Sequence, residues 1–315
     1  MKLPSVAMLA IVFLVSDCDT KPKPVYLSVP EVLIPIEVIY DEVKTEPEVE
    51  LETRILGSYE TRYLTLGAER NRANNIKIAA SRVNIELQPN QQFSYNDAVG
   101  TRTEDNGFVL APTIFDGEIK PGIGGGVCQV SSTIYAAALM SNLAIVYRRP
   151  HTRVSKYIPA GLDATVAYPE ECKDDAKCDA VDLVIANTWS SPIKLQTSIT
   201  DNKGIAKLRV EFTTLIRKND VYDGPGPIFT TKYKWYSRTF EDYTTEIRKL
   251  DSNIDEKEIQ KGRNGIYVYS TLTYEYDNRL NNMTRKWKSR YPAVTRILEV
   301  GPDWVDRADA GDSDP

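Results

Sequence analysis

The chain has 315 residues, 42% of them apolar and 26% charged, with 39 Lys and Arg against 44 Asp and Glu for a net charge of −5. This is a globular composition, long enough for two domains, and it excludes the basic footprint of a nucleic-acid-binding protein. Tyr outnumbers Phe 18 to 7, a bias that suits strands and surfaces facing carbohydrate or peptide.

Lys2 followed by an unbroken apolar run from Val6 to Val15 predicts an export signal over residues 1–18, with a run too short to span a bilayer. Cys18 stands where a lipoprotein signal ends, which makes it a candidate lipid anchor to the membrane. Val15 and Ser16 suit such a site and Asp17 does not. Residues 19–50 carry Pro22, Pro24, Pro30, Pro35 and Pro47. The prolines exclude a helix and predict a semi-extended stalk.

Globular patterning begins at residue 51. Residues 55–63 read as a strand, and 75–83 as a helix with Ile76, Ala79, Ala80 and Val83 on one face and Asn74 as its cap. A turn at 89–92 and a strand at 93–95 follow. A second helix is predicted from about Cys128 to Leu143. Residues 163–168, 183–186, 193–197 and 206–212 alternate as strands do. A second, mostly-β region spans 235–302, where 266–274 is the most β-prone run and Asp277-Asn278-Arg279 a hairpin turn. Residues 303–315 hold five Asp and read as a disordered acidic tail. The fold expected is an α+β catalytic domain with few helices at 51–212, followed by a smaller β-rich accessory domain.

Chemistry concentrates around Gly124-Gly125-Gly126-Val127-Cys128-Gln129 and the only histidine, His151. A cysteine at a helix start sits where the macrodipole and free N–H groups favour a thiolate. An imidazole base can come from one residue alone. Backbone N–H groups within Gly124–Gln129 are suited to hold an oxyanion. Gln129 offers a further donor or a helix cap, and Ser131 and Arg153 complete the candidate substrate-binding set. Arg148, Arg149, Arg153 and Lys156 form either a solvated face or a carboxylate-binding cluster that would depress the His151 pKa. Asp163 is the candidate to orient His151, a task that a backbone carbonyl also performs. Cys172 and Cys178 bracket a polar loop that a local disulfide would close; pairing of either with Cys128 is the alternative. No metal site and no organic cofactor are expected.

Arg72-Ala73-Asn74-Asn75-Ile76, Pro89, Phe93-Ser94-Tyr95-Asn96, Val99-Gly100, Gly107-Phe108, the run from Gly124 to Leu139, Pro150-His151 and the run from Tyr157 to Ala164 occur in an order that closely resembles the VanW family, named from glycopeptide-resistance clusters. Gly262, Gly265, Arg290-Tyr291-Pro292 and Gly301 resemble a divergent five-glycine-type domain. The VanW resemblance implies peptidoglycan stem peptides as partner. It also implies an L,D-transpeptidase with Cys128 as nucleophile and His151 as base, exported to the cell envelope. An L,D-carboxypeptidase using the same thiol and a non-catalytic wall-binding module are the alternatives.

Overall fold

A computed structural model describes residues 51–115, 118–168, 180–217, 229–252, 254, 256–276 and 282–304, all within one compact unit. The proposed signal, Cys18, the stalk, the Cys172/Cys178 loop, the 277–279 turn and nearly all of the acidic tail lie outside the described residues.

The elements of the first part are β1 (Leu51–Leu64), α1 (Arg70–Ser81), β2 (Ile85–Leu87), β3 (Gln92–Ser94), α2 (Tyr95–Val99), β4 (Leu110–Phe115), β5 (Glu118–Ile123), α3 (Val127–Met140), β6 (Ala144–Tyr147), β7 (Val184–Ala186), β8 (Ile193–Asn202) and β9 (Ile205–Arg217). The second part holds β10 (Phe229–Glu241), β11 (Thr245–Lys249), β12 (Lys257–Gln260), β13 (Gly265–Tyr276), β14 (Met283–Tyr291) and β15 (Arg296–Val300). The class is the expected one: among the described residues, an α+β part with three α-helices is followed by all-β sheets.

The antiparallel sheet β1-β9-β8-β2 is the platform, and α1 and α3 pack on it. Helix α3 is buried on every side, from Val127 and Val130 through Ile134 and Ala136–Ala138 to Leu139. A helix buried all round belongs at the centre of a core, and its buried polar residues Gln129, Ser131, Ser132 and Thr133 are all hydrogen-bonded. Its small residues let strands come close. At the β1 bulge, a Cβ on Gly57 would stand 2.6 Å from the Met140 carbonyl carbon. The small sheet β3-β7-β6 and the β4-β5 hairpin close the other sides, and β5 feeds directly into α3.

In the second part β10-β13-β14 is antiparallel, while β15 pairs parallel with β11 and antiparallel with β12. Strand β13 alternates as its sequence requires, with Val268, Ser270, Leu272 and Tyr274 buried. Leu272 and Tyr274 join the same core as α3.

Two expectations are corrected. Helix α1 starts at Arg70 rather than 75, following a short 3-10 turn, and it has no side-chain cap. Asn74 therefore lies inside it. Residues 163–168 are not a strand and make only the isolated bridges Arg149–Thr165 and Ala167–Val181. Ala164 and Val166 bond instead to Cys128, Ser131 and Ser132 of α3.

Candidate active site

Strand β5 delivers the chain to Gly124, whose φ of +83° and that of Gly126, +109°, are left-handed and favour glycine. Gly126 is the residue before α3, so the turn redirects the backbone from strand to helix within three residues. A Cβ on Gly125 would meet Pro112 O at 2.6 Å and the Ala111 carbonyl carbon at 2.7 Å. The loop is also clamped from α1. Asn75 Nδ2 donates to Gly125 O (3.0 Å) and Val109 O (2.9 Å), and Asn75 Oδ1 accepts from Val109 N (2.9 Å). The glycines thus let the loop pack against β4 and α1.

Cys128 stands in the first turn of α3, partly exposed and a free thiol. Its Sγ donates to Val166 O at 3.4 Å. Residues 163–166 run alongside this turn because α3 serines hold them. Ser131 Oγ donates to Ala164 O (2.7 Å), and Ser132 Oγ accepts from Ala164 N (3.0 Å) and donates to Cys128 O (2.6 Å). Ser131 is fully buried and belongs to this scaffold rather than to a solvent-facing pocket.

That placement brings Asp163 to His151. One carboxylate oxygen, Oδ2, accepts from both the His151 backbone N–H (2.7 Å) and its ring Nδ1 (2.8 Å). Asp163 and His151 are 1% and 4% exposed. The other oxygen, Oδ1, accepts from Arg148 Nη2 at 3.0 Å and from the Tyr291 hydroxyl at 2.5 Å. Arg148 Nε also holds Asp163 O at 2.6 Å. An ionised carboxylate only accepts, so Nδ1 carries the proton. The His151 ring and the Cys128 thiol act on each other electrostatically, and with Nδ1 bonded to Asp163 the nitrogen left to serve the thiol is Nε2.

The electrostatics follow the geometry. Burial raises the Asp163 carboxyl, but bonding to His151 and the charges of His151 and Arg148 hold it far below the carboxylate range. Burial opposes an imidazolium at His151, yet Tyr157, Asp163 and Cys128 together hold its pKa well above the usual histidine value. Burial also raises the Cys128 thiol. The His151 hydrogen bond and charge, the Val166 contact and the Arg102 charge more than reverse this, and its pKa is lowered. Arg148 does not depress His151, because Asp163 bonds to both of them.

Several predicted site residues sit differently from expectation. Gln129 is 1% exposed; its Nε2 donates to Thr61 Oγ1 and Arg62 O, both at 3.0 Å, and its Oε1 accepts from Arg72 Nη2 at 2.6 Å. With both amide protons committed, it has none for an oxyanion, and it ties α3 to β1 and α1. Arg148 is buried and ion-paired with Asp163 instead of belonging to a solvated face. Arg153 is partly exposed beside Arg263, and burial and that second charge lower its pKa.

Four residues escaped the sequence reading. Tyr157 packs edge-on to His151, with ring centroids 6.5 Å apart, and donates to Cys128 O at 3.2 Å. Arg102, held by Gly100 O (2.6 Å) and Asn96 Oδ1 (2.8 Å), places its charge near the thiol, and its buried Nε has no hydrogen-bond partner among the described residues. Ser132 and Tyr291 are the others. Tyr157 lies within the matched family run, whereas nothing near Tyr291 in sequence announces a contact with Asp163, 128 residues away.

A cysteine at a helix start, an imidazole beside it and a carboxylate behind the imidazole define the class, a Cys–His–Asp arrangement on an α+β domain. The family model described as VanW like protein matches residues 71–209, and the chain carries a VanW-family domain. Among curated relatives, the uncharacterized protein YoaR of Bacillus subtilis (strain 168) is 40% identical over 136 residues, covering 43% of this chain and 44% of that protein. The vancomycin B-type resistance protein VanW of Enterococcus faecalis (strain ATCC 700802 / V583) is 25% identical over 148 residues, covering 44% and 50%. The chain thus spans about half the length of the curated relatives it matches. The crystal structure of HP0197-G5 aligns at 22% identity with a TM-score of 0.13, covering 23% of this chain and 97% of that one.

Proposed function

We propose that the protein is an exported peptidoglycan acyltransferase of the L,D-transpeptidase type. The observation that carries this reading is the succession of Cys128 at the start of α3, the His151 ring that acts on its thiol, and the buried Asp163 carboxylate, 2.8 Å from Nδ1. The cell-wall setting draws support from the VanW relative, whose name is that of a vancomycin-resistance protein, and from the predicted export signal.

In the first step the Cys128 thiolate attacks the carbonyl carbon of the third residue of a stem tetrapeptide. The bond to the terminal D-amino acid breaks, and the leaving amine takes the proton from His151 Nε2. The product is a thioester on Cys128 and a free D-amino acid. In the second step a side-chain amine of a neighbouring stem attacks the thioester, His151 accepts its proton, and the thiolate is restored. Asp163 holds the imidazolium in register throughout. No acceptor among the described residues takes the Cys128 backbone N–H, so this group is available to the oxyanion.

The test is product analysis of the full chain on a disaccharide tetrapeptide, with and without an amine acceptor, beside Cys128→Ala. Release of the terminal D-amino acid with a new amide to the acceptor is the expected result. Release without amide formation identifies a carboxypeptidase instead. No release from the folded protein identifies a wall-binding module.

A further inference from the structure

The sheet β10-β13-β14 turns one face toward the catalytic residues, and the polar tips on that face converge on a short stretch. Tyr233 OH donates to Ala160 O at 2.6 Å and Trp287 Nε1 to Gly161 O at 2.9 Å. Ser289 Oγ accepts from Arg148 Nη1 at 2.8 Å. Tyr291 OH accepts from Gly161 N at 2.7 Å and donates to Asp163 Oδ1. These contacts are of two kinds. Tyr233 and Trp287 reach backbone carbonyls, which docks the sheet. Tyr291 and Ser289 instead complete the far side of the Asp163 carboxylate and of the arginine paired with it.

A carboxylate rotates about its own bond. Oδ2 faces His151 Nδ1 while Oδ1 is held by both Arg148 and Tyr291, and loss of the Tyr291 hydroxyl leaves this buried oxygen with one donor instead of two. We infer that Tyr291 is a positioning residue for the reaction, its hydroxyl locking Asp163 so that His151 stays aligned on Cys128. The VanW-family match ends at residue 209, so the site is completed by a strand outside the family's own domain. Burial and the Asp163 charge keep the Tyr291 hydroxyl protonated far beyond neutral pH, as a permanent donor. The inference rests on the acyl-transfer reading. The other titratable groups around the pair are Arg148, Tyr135 and Tyr233 near Asp163, and Tyr157, Tyr95 and Arg102 near the thiol; all stay unchanged in the test.

The experiment measures iodoacetamide alkylation of Cys128 against pH, and turnover of the disaccharide tetrapeptide, in the full chain. Wild type is compared with Tyr291→Phe, Ser289→Ala and Trp287→Phe. Tyr291→Phe is expected to move the thiolate profile upward toward the free-cysteine value and to lower kcat about tenfold, with KM changed less than about twofold. Ser289→Ala moves the profile the same way by less. Trp287→Phe removes a docking bond from the same strand and lowers thermal stability, but leaves profile and kcat in place. A Tyr291→Phe protein with wild-type profile and kcat overturns the inference, as does a Trp287→Phe protein that reproduces the full Tyr291→Phe effect. A wild-type thiol that titrates like free cysteine overturns the acyl-transfer reading itself.

Discussion

The start of α3 and strand β14 grip the same His–Asp pair from opposite sides by different means. On the α3 side the grip is backbone and small side chains, with glycines packed on the Ala111–Pro112 backbone and on Arg72, and two buried serines bonded to Ala164. On the β14 side it is side-chain hydroxyls, Tyr291 on the Asp163 carboxylate and Ser289 on its paired arginine, while Trp287 docks the strand on Gly161 O. The first kind has no slack: an added atom must displace backbone. The second can be weakened one bond at a time. The difference separates residues that set the nucleophile's position from residues that tune how well the carboxylate holds its partner.

That comparison breaks most sharply at the reacting groups. Cys128→Ala is expected to abolish turnover and leave thermal unfolding near wild type, since the thiol holds the fold only through a long bond to Val166 O and its interaction with the His151 ring. His151→Gln is expected to cost about 10²- to 10⁴-fold in kcat. Asp163→Asn comes next, because it leaves Arg148 with 8% side-chain exposure and no counter-charge. It should destabilise the fold by about 3–5 kcal/mol in denaturant titrations and move the Cys128 alkylation profile upward.

The pH dependence sharpens the same point. Asp163 has a depressed folded pKa, so its contribution to stability is present above the unfolded value of about 4 and is lost as pH falls through the folded value. Wild type should therefore lose stability more steeply below about pH 4 than Asp163→Asn does. For turnover, a lowered thiol and a raised imidazole give a bell-shaped kcat/KM. Its acid limb lies below the ordinary thiol pKa of about 8.5 and its alkaline limb above about 6.5, the two belonging to the coupled pair. A single sigmoid rising near pH 8.5 would contradict the pairing. The smallest effect is expected from Gln129→Leu, about 1–3 kcal/mol of stability from the lost bonds to Thr61, Arg62 and Arg72. Its alkylation profile should stay unchanged; a shifted profile would return Gln129 to the reacting centre.

The α3 side of the site was legible in the sequence because its information is local. A glycine run before an apolar helical stretch announces a strand-to-helix turn, and a lone histidine leaves no choice of imidazole. Asp163 was reachable for the same reason, lying shortly after His151. Alternation in residues 163–168 indicated which side chains are buried but not what covers them, so the segment read as a strand although α3 serines hold it. Arg70–Asn74 carries no apolar period, which hid the first turn of α1. Gln129 is polar at a helix start, and only the fold places Arg72, Thr61 and Arg62 around its amide. Tyr291 was hidden most fully. Its strand was readable as β, but which inward-facing hydroxyl meets a carboxylate depends on how two sheets stack.

The most direct measurement is the intact mass of the full chain after incubation with a disaccharide tetrapeptide, with Cys128→Ala alongside. The account requires an adduct equal to the donor minus its terminal D-amino acid, present on wild type and absent from the variant. An unchanged mass with no released D-amino acid, in protein shown to be folded, would contradict it.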